Sequence, residues 1–357
     1  MSFIKGVFAT LTGLFLFFFL LLFLIIGMAA STSTTTEPYV KSNSVLKIPL
    51  SGTLMERVPV ENPFAELSDP GYQNRVSVNG LREVLINAAA DDRIAGVWLD
   101  ITSVGGGFST LQEIHDLIMS FKESGKFVYA STDDMGMNEA GYYLATAADS
   151  IFAPQQTYIE FDGFYLQGQF YKRLFDKIGI EVDVVNSGEF KTAAESYTHD
   201  RFTSANRLQL TSVLNAALDM HLAATEAKTG KSRAELDAIL TKAPIFSATD
   251  AFNAGLVDSL LYPKDLESLI AARAGSTKLE TVSYARYSSV SASSAGVEKP
   301  ASEGTIAVLY ASGLILPVSA PDLMNPDGDV LTATLNEDEK KSYKEKLAEK
   351  GPDAPAA

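Results

Sequence analysis

The chain has 357 residues, a formal net charge of -15 and no cysteine. The lack of cysteine excludes disulfides, a thiol nucleophile and a thiolate metal site. The acidic charge argues against a nucleic-acid partner, because phosphate backbones are bound by basic surfaces. The only histidines are His115, His199 and His221. They provide little material for a Ser-His-Asp triad or a histidine-rich metal site, so we expect neither a metal nor a cofactor.

The N-terminal segment is long and apolar. No charged residue occurs from Gly6 to Met28, and every residue from Leu14 to Ile26 is large and apolar. The run exceeds the apolar region of a cleaved signal peptide and reaches the roughly 20 residues that cross a bilayer. We therefore predict an uncleaved membrane anchor and linker over residues 1–36, with cleavage after Ala30 as the alternative. Lys5 precedes the span, which favours the N-terminus inside and the bulk of the chain outside.

Strand-like and helix-like segments alternate after the anchor. Strands are predicted at Val45–Leu50, Ile94–Ile101 and Phe127–Ala130, and helices at Val78–Ala90, Thr110–Phe121 and Asn206–Ala224. Ser232 and Glu235 form the pattern of a capping box, which predicts the start of a further helix. This alternation predicts an α/β fold with mainly parallel strand pairing. We assign the body to residues 37–275.

The C-terminal part is divided into a linker and a tail. Residues 276–304 are rich in Ser and Ala and predict a linker. The strand-like runs Ile306–Ile315 and Val45–Leu54 both contain Ser-Gly followed by apolar residues. This similarity indicates a second copy of the same unit, although any buried strand can end in Ser-Gly. From Asp327 onward the chain is charged and poor in large apolar residues, which predicts disorder. Residues 305–357 are therefore interpreted as the start of a truncated second repeat and a disordered tail.

Lys191 is the candidate for acid–base chemistry. It follows Gly188 and the apolar run Val182–Val185, which predicts a buried strand. Desolvation at the end of such a strand lowers the pKa of an amine and can make it a general base, whereas the alternative is a solvated surface lysine. His199 is either a neighbour of this site or a solvated loop residue. His221 lies on the apolar face of a predicted helix and is expected to pack in the core.

A glycine-rich turn, Ser103–Gly107, lies between a predicted strand and a predicted helix. Backbone N–H groups in such a turn can point at a ligand and form an oxyanion hole or a phosphate cradle. A P-loop is excluded because no Gly-Lys-Ser/Thr follows. Gly105 and Gly106 are therefore the candidate oxyanion loop.

Three segments in this order resemble the N-terminal half of the long form of the signal peptide peptidase A family, also called protease IV. They are Gly105-Gly106, Met137–Asp149 and Gly188–Ala193. The resemblance implies a crotonase/Clp-protease-like β-α superhelix repeat and a bacterial serine endopeptidase with a Ser/Lys dyad. It also implies an anchor in the inner membrane, a bulk on the periplasmic side, peptide substrates such as cleaved signal peptides, and a homo-oligomer. In the family the first half supplies the lysine, here Lys191, and the second half supplies the serine.

Glu139 departs from the pattern of the single-repeat members. These carry Ser within Ala-Ala-Ser-Gly-Gly-Tyr-Tyr, and alignment on Tyr142-Tyr143 puts Glu139 at the position of that Ser. A carboxylate cannot replace the alkoxide of a Ser/Lys mechanism. A second repeat would need about 250 residues, and only about fifty follow Ile306. We therefore expect a truncated member without its nucleophile, inactive as an isolated chain.

Two other functions compete with this interpretation. A non-catalytic, membrane-tethered subunit that binds peptides or assembles with an intact relative would have no need of Lys191. An acyl-CoA enzyme on the crotonase-like fold is disfavoured by the anchor and by the lack of a nucleotide-recognition signal.

Overall fold

A parallel sheet with helices on both faces forms the centre of the computed structural model, which describes residues 2–31, 37–58, 75–133, 135–297 and 308. The elements are α1 Ser2–Ser31, β1 Ser44–Thr53, α2 Val78–Ala90, β2 Ile94–Gly105, α3 Phe108–Lys122, β3 Phe127–Ser131, α4 Glu139–Ala145, β4 Ser150–Ala153, β5 Tyr158–Phe161, α5 Lys172–Ile178, α6 Glu195–Thr198, α7 Ser204–Thr229, α8 Arg233–Lys242, β6 Ile245–Ser247, α9 Ala248–Asn253, β7 Ser259–Leu260, α10 Pro263–Arg273, β8 Thr281–Ser283 and α11 Tyr284–Tyr287.

The main sheet has the strand order β7-β4-β3-β2-β1-β8, and all of its pairings are parallel. Strands β5 and β6 form a separate antiparallel pair. Parallel sheets are covered on both faces, which explains the nearly continuous apolar runs of β1 and β2. The predicted α/β class with mainly parallel pairing is confirmed.

Successive side chains of the central strands enter two different cores. Leu99 and Val128 belong to the large core under α2, α3 and α4. Their neighbours Trp98 and Phe127 pack on the opposite face with Ile270 of α10. Because successive side chains point to opposite faces of a strand, each central strand contributes to the cores on both faces of the sheet.

The elements predicted from periodicity and capping are formed. Helix α2 has the predicted bounds, and both hydrogen bonds of the predicted capping box, Ser232 with Glu235, are present at the start of α8. Strand β2 continues beyond the predicted end at Ile101 to Gly105, so part of the glycine-rich turn is paired with β1.

Helix α1 is apolar throughout its central part. The stretch Lys5–Leu24 has a mean hydropathy of 2.6 and is not buried against the rest of the protein. Its length and composition suffice to cross a membrane.

Residues 276–297 do not form a linker, contrary to the prediction from their composition. Strand β8 pairs with β1 at the edge of the sheet. Tyr287 is fully buried and donates a hydrogen bond to Oδ2 of Asp91 at 2.9 Å. A Ser/Ala-rich segment is therefore part of the fold, because its few large side chains are buried. The predictions for residues 305–357 fall outside the described residues, except at Val308.

The predicted strand at Val182–Val185 is absent. It lies in the long connection between β5 and α7, residues 162–203, which we call the Lys191 segment; it contains α5 and α6 but no strand. The Val185 side chain is 99% exposed. An apolar run becomes a strand only where a neighbouring strand pairs with its backbone groups, and among the described residues none lies alongside it.

Candidate active site

Lys191 is held by a local turn. Gly188 has a φ of +101°, in the region that favours glycine. The Lys191 amide donates to the Gly188 carbonyl at 3.2 Å, and Nδ2 of Asn186 donates to the Lys191 carbonyl at 3.0 Å. The backbone of the candidate base is therefore positioned by its own turn and not by a strand end.

Lys191 lines an open cavity of about 720 Å³ whose other walls include Val182, Glu195, His199 and Thr203. The lysine is exposed. Within the described part of the chain, its amine has neither an ion-pair partner nor a hydrogen-bond partner. His199 is also exposed, and its Nδ1 lies 2.9 Å from Oγ1 of the preceding threonine. His199 is therefore a solvated loop residue and also a neighbour of Lys191 on the same cavity.

Glu195 fastens the end of the Lys191 segment to α7. Its buried carboxylate accepts hydrogen bonds from the hydroxyl and the amide of Thr203, which caps α7, and from Nδ2 of Asn206 at 2.7 Å. Burial raises the pKa of Glu195, but these hydrogen bonds outweigh it and leave the pKa below its usual range. The carboxylate in the cavity wall therefore serves to hold the chain in place.

The candidate oxyanion loop is packed against the end of β1. The Gly105 carbonyl accepts a hydrogen bond from the Leu54 amide at 2.8 Å. A Cβ on Gly106 would lie 3.2 Å from the Leu54 carbonyl oxygen, so this position requires a small residue. Gly105 and Gly106 do not line the cavity that contains Lys191.

Asn138 connects this loop to the start of α4. Its Oδ1 accepts hydrogen bonds from the Gly141 amide at 3.1 Å and from the Val104 amide at 3.0 Å. Its Nδ2 donates to the Val104 carbonyl at 2.8 Å. The N-cap of α4 therefore also fixes the residue that precedes Gly105.

Glu139, the first residue of α4, is buried at 6% exposure. Its Oε1 accepts hydrogen bonds from the Asp162 amide at 2.7 Å and the Gly163 amide at 2.6 Å. Its Oε2 lies 2.9 Å from Nε2 of His221, which is fully buried in α7. Among the described residues, neither atom of this contact has a hydrogen-bond partner of good geometry, and the same holds for His221 Nδ1.

Burial raises the pKa of Glu139, but the contact with His221 and the two amide hydrogen bonds outweigh it. The Glu139 pKa therefore lies below its usual value, and the carboxylate is ionised inside the protein. By contrast, burial together with the charges of Glu160 and Glu139 raises the pKa of the Asp162 side chain. One oxygen of the Glu139 carboxylate accepts both amide hydrogen bonds and the other lies against His221, so the group is held inside the protein.

The pairing of Glu139 with His221 was missed by sequence reasoning. The prediction that His221 lies in the core is correct, and the rings of Tyr142, Tyr143, Phe161 and Phe164 surround it. A buried imidazole requires a polar partner, and this requirement was the available signal. Among the described residues, no group of three or more His, Cys, Asp or Glu side chains could hold a metal ion.

Comparison with known proteins points to a peptidase family. Residues 120–276 match the model of peptidase family S49. The chain is 28% identical to the chloroplastic serine protease SPPA of Arabidopsis thaliana, over 85% of this chain and 44% of that protein. It is 27% identical to protease 4 of Salmonella typhi, over 77% of this chain and 46% of that protein. The chain thus spans about half the length of these curated relatives.

The solved structures that are similar to the chain include an enoyl-CoA hydratase/isomerase family protein from Silicibacter pomeroyi. The TM-score is 0.36 at 16% identity, over 67% of this chain and 82% of that one.

Proposed function

We propose, from the match of residues 120–276 to peptidase family S49, that this chain is the lysine-bearing half of a serine endopeptidase of the signal-peptide-peptidase type. In this proposal Lys191 is the general base of a Ser/Lys dyad. The nucleophilic serine comes from a unit other than the one that carries Lys191, because Glu139 takes the equivalent position here.

The observation that carries the proposal is the state of Lys191. It lines a cavity of about 720 Å³, and its amine has no partner in the described part of the chain. An amine that is free of an ion pair can take up and release a proton without first breaking a contact.

The reaction follows from these roles. Lys191 takes the proton from the serine hydroxyl, and the serine oxygen attacks the carbonyl carbon of the scissile peptide bond. Backbone N–H groups, with those of Gly105 and Gly106 as candidates, stabilise the tetrahedral oxyanion. Lys191 returns the proton to the leaving amine, and water then cleaves the acyl-enzyme.

General-base work requires that Lys191 be shielded from water, and a second unit seated on the segment would provide this. Large apolar side chains of the Lys191 segment support such a partner, since Tyr165 is 86% exposed and Ile178 is 58% exposed. The partner would be a second repeat or another copy of the chain in a homo-oligomer. The proposal includes α1 as an uncleaved anchor in a bacterial inner membrane, the bulk on the periplasmic side, and cleaved signal peptides as substrates.

A non-catalytic peptide-binding subunit is the second candidate. The observation that favours it is the buried Glu139 carboxylate at the nucleophile position, where one oxygen accepts hydrogen bonds from the Asp162 and Gly163 amides. In this case the cavity would hold a peptide without cleaving it, and the subunit would have no need of Lys191.

The test measures hydrolysis of an unstructured protein substrate by the detergent-solubilised chain, alone and completed with a family-type second repeat. We expect no cleavage by the chain alone. We expect cleavage by the completed protein, reduced by about 10²–10⁴-fold in Lys191→Ala. Lys177→Ala, which changes an exposed lysine of the same segment, is the matched control and should retain activity.

Three outcomes would contradict parts of the proposal. Cleavage by the unmodified chain that is lost in Lys191→Ala would mean that this chain carries a nucleophile. Cleavage by the completed protein that survives Lys191→Ala would remove the lysine from the mechanism. Peptide binding without cleavage in every preparation would favour the second candidate.

A further inference from the structure

The Glu139 carboxylate contacts the chain on both sides of the Lys191 segment. One oxygen binds the first two residues of the segment, Asp162 and Gly163. The other oxygen faces His221 on α7, the helix that follows the segment. We infer that Glu139 and His221 form a positioning pair that fixes the start of the Lys191 segment and the buried part of α7 relative to the glycine loop. The inference rests on the proposed function only because it takes Lys191 to be the general base.

The first contact sets the direction in which the segment leaves the body. Gly163 has a φ of +92°, which turns the chain away from β5. Two consecutive N–H groups, from Asp162 and Gly163, converge on Oε1 of Glu139 at 2.7 and 2.6 Å. Hydrogen bonds to an ionised acceptor are stronger than neutral ones, so this exit turn is held firmly.

The second contact holds the buried part of α7, the helix that follows the segment. Glu195 binds Thr203 and Asn206, which joins the end of the segment to the first turn of α7. His221 lies about four turns further along α7 and is 2.9 Å from Oε2 of Glu139. The end of the segment is therefore connected to Glu139 only through the length of α7.

The same pair is connected to the glycine loop. Asn138, next to Glu139 in the chain, binds both backbone polar groups of Val104. The Phe164 ring packs edge-on against two other rings, with centroid distances of 5.7 Å to His221 and 5.8 Å to Phe108. Phe108 is the residue that directly follows the glycine-rich turn. A displacement of Glu139 or His221 would therefore change the position of the Lys191 segment relative to Gly105 and Gly106.

Core packing alone does not account for this pair. An apolar side chain would fill the aromatic surroundings of His221 without the desolvation of two ionisable groups. The ring nitrogen Nδ1 of His221 also has no hydrogen-bond partner in the described part of the chain. A buried polar group without a partner is uncommon and calls for an explanation beyond packing.

The test measures the distance between the glycine loop and the Lys191 segment by pulsed electron spin resonance. The chain has no cysteine, so Ser109→Cys and Glu189→Cys give two unique, exposed sites for spin labels. The parent is the full chain in detergent that carries the two labelled cysteines. Three variants of this parent are compared with it: Glu139→Ala, His221→Phe and the control Glu160→Ala. Glu160 lies on β5, where its carboxylate accepts a hydrogen bond from the Tyr158 hydroxyl, whereas the carboxylate that faces His221 is that of Glu139.

We expect one narrow distance distribution in the labelled parent and in Glu160→Ala. We expect a broader or shifted distribution in Glu139→Ala and in His221→Phe. Hydrogen exchange at the Asp162 and Gly163 amides should be about tenfold faster in Glu139→Ala, since each loses its acceptor. A merely structural role would lower stability without changing the distance in the folded protein.

An unchanged distance distribution in folded Glu139→Ala and in His221→Phe would overturn the inference. If Glu139→Ala does not fold, His221→Phe decides alone, because its ring fills the same aromatic surroundings and removes only the ring nitrogens. The measurement needs no peptidase activity, so failure of the positioning pair is distinguishable from failure of the Ser/Lys proposal.

Discussion

The Glu139 carboxylate is buried and ionised, and this determines how the protein responds to acid. Burial alone would raise its pKa, but the contacts with His221 and the two amides outweigh burial and hold the pKa in the folded state below the ordinary value of a glutamate. The folded protein therefore binds fewer protons at this site than the unfolded chain does. This stability is fully present above the unfolded pKa and is lost as the pH falls through the folded pKa.

We predict that Glu139→Gln lowers the free energy of unfolding by about 3 kcal/mol at pH 7, since it leaves His221 without its charged partner. The difference between parent and variant should shrink as the pH falls below about 4.5. Urea unfolding between pH 7 and about pH 3 measures it. Glu160→Gln should change stability by less than about 0.5 kcal/mol. A difference that stays constant or grows on acidification would contradict the prediction.

At the scale of elements, the N-cap of α4 has a role beyond its own helix. Asn138 satisfies the Gly141 amide and also binds both polar backbone groups of Val104. Ser232 at the start of α8 makes a capping box within its own helix turn. The two caps are therefore a matched pair, one connecting two elements and one serving a single helix.

We predict that Asn138→Ala lowers the free energy of unfolding by about 2–3 kcal/mol, because a cap and two further hydrogen bonds are lost. Ser232→Ala should lower it by about 1 kcal/mol. Chemical unfolding followed by circular dichroism gives both values. Equal losses in the two variants would mean that the bonds to Val104 contribute nothing.

Elements whose signal is local were predicted well. The bounds of α2 and the capping box of α8 depend on residues a few positions apart, so the sequence contains their cause. Val182–Val185 has the composition of a strand but has no strand alongside it, and composition does not show whether a neighbour exists. The pairing of β8 with β1 joins distant parts of the chain, so the Ser/Ala-rich segment was misinterpreted.

The candidate site shows the same division. Lys191, Gly105 and Gly106 were predicted from local turns that follow apolar runs, and their roles stay predictions. The structure places the lysine on a cavity wall and the glycines outside that cavity. The contact of Glu139 with His221 joins two helices that are far apart in sequence. Each of these residues had a local interpretation, and only the fold shows that they are partners.

At the scale of the whole molecule, α1 differs from every helix of the body. The stretch Lys5–Leu24 has no buried residues and a mean hydropathy of 2.6. An unburied apolar surface of this size is unfavourable in water and favourable in lipid. The body, by contrast, buries its apolar runs within its two cores.

We predict that the expressed chain is in the membrane fraction, resists alkaline extraction and retains Met1. At the centre of a transmembrane helix, each of the substitutions Leu16→Arg and Phe19→Arg adds about 2.5–3.5 kcal/mol to the free energy of membrane insertion. The double variant should therefore be released from the membrane fraction. Fractionation, immunoblotting and N-terminal sequencing measure the outcome. A mature N-terminus near Ala30 or Ser31 would instead indicate a cleaved signal peptide.

The place of β8 in the sheet has a consequence for the order of folding. Its partner β1 is the first strand of the chain, and Val45 pairs with Thr281. During synthesis, β1 therefore keeps an open edge until almost the whole body has emerged. Non-local pairings of this kind slow folding, and an open strand edge can pair with another chain in the meantime.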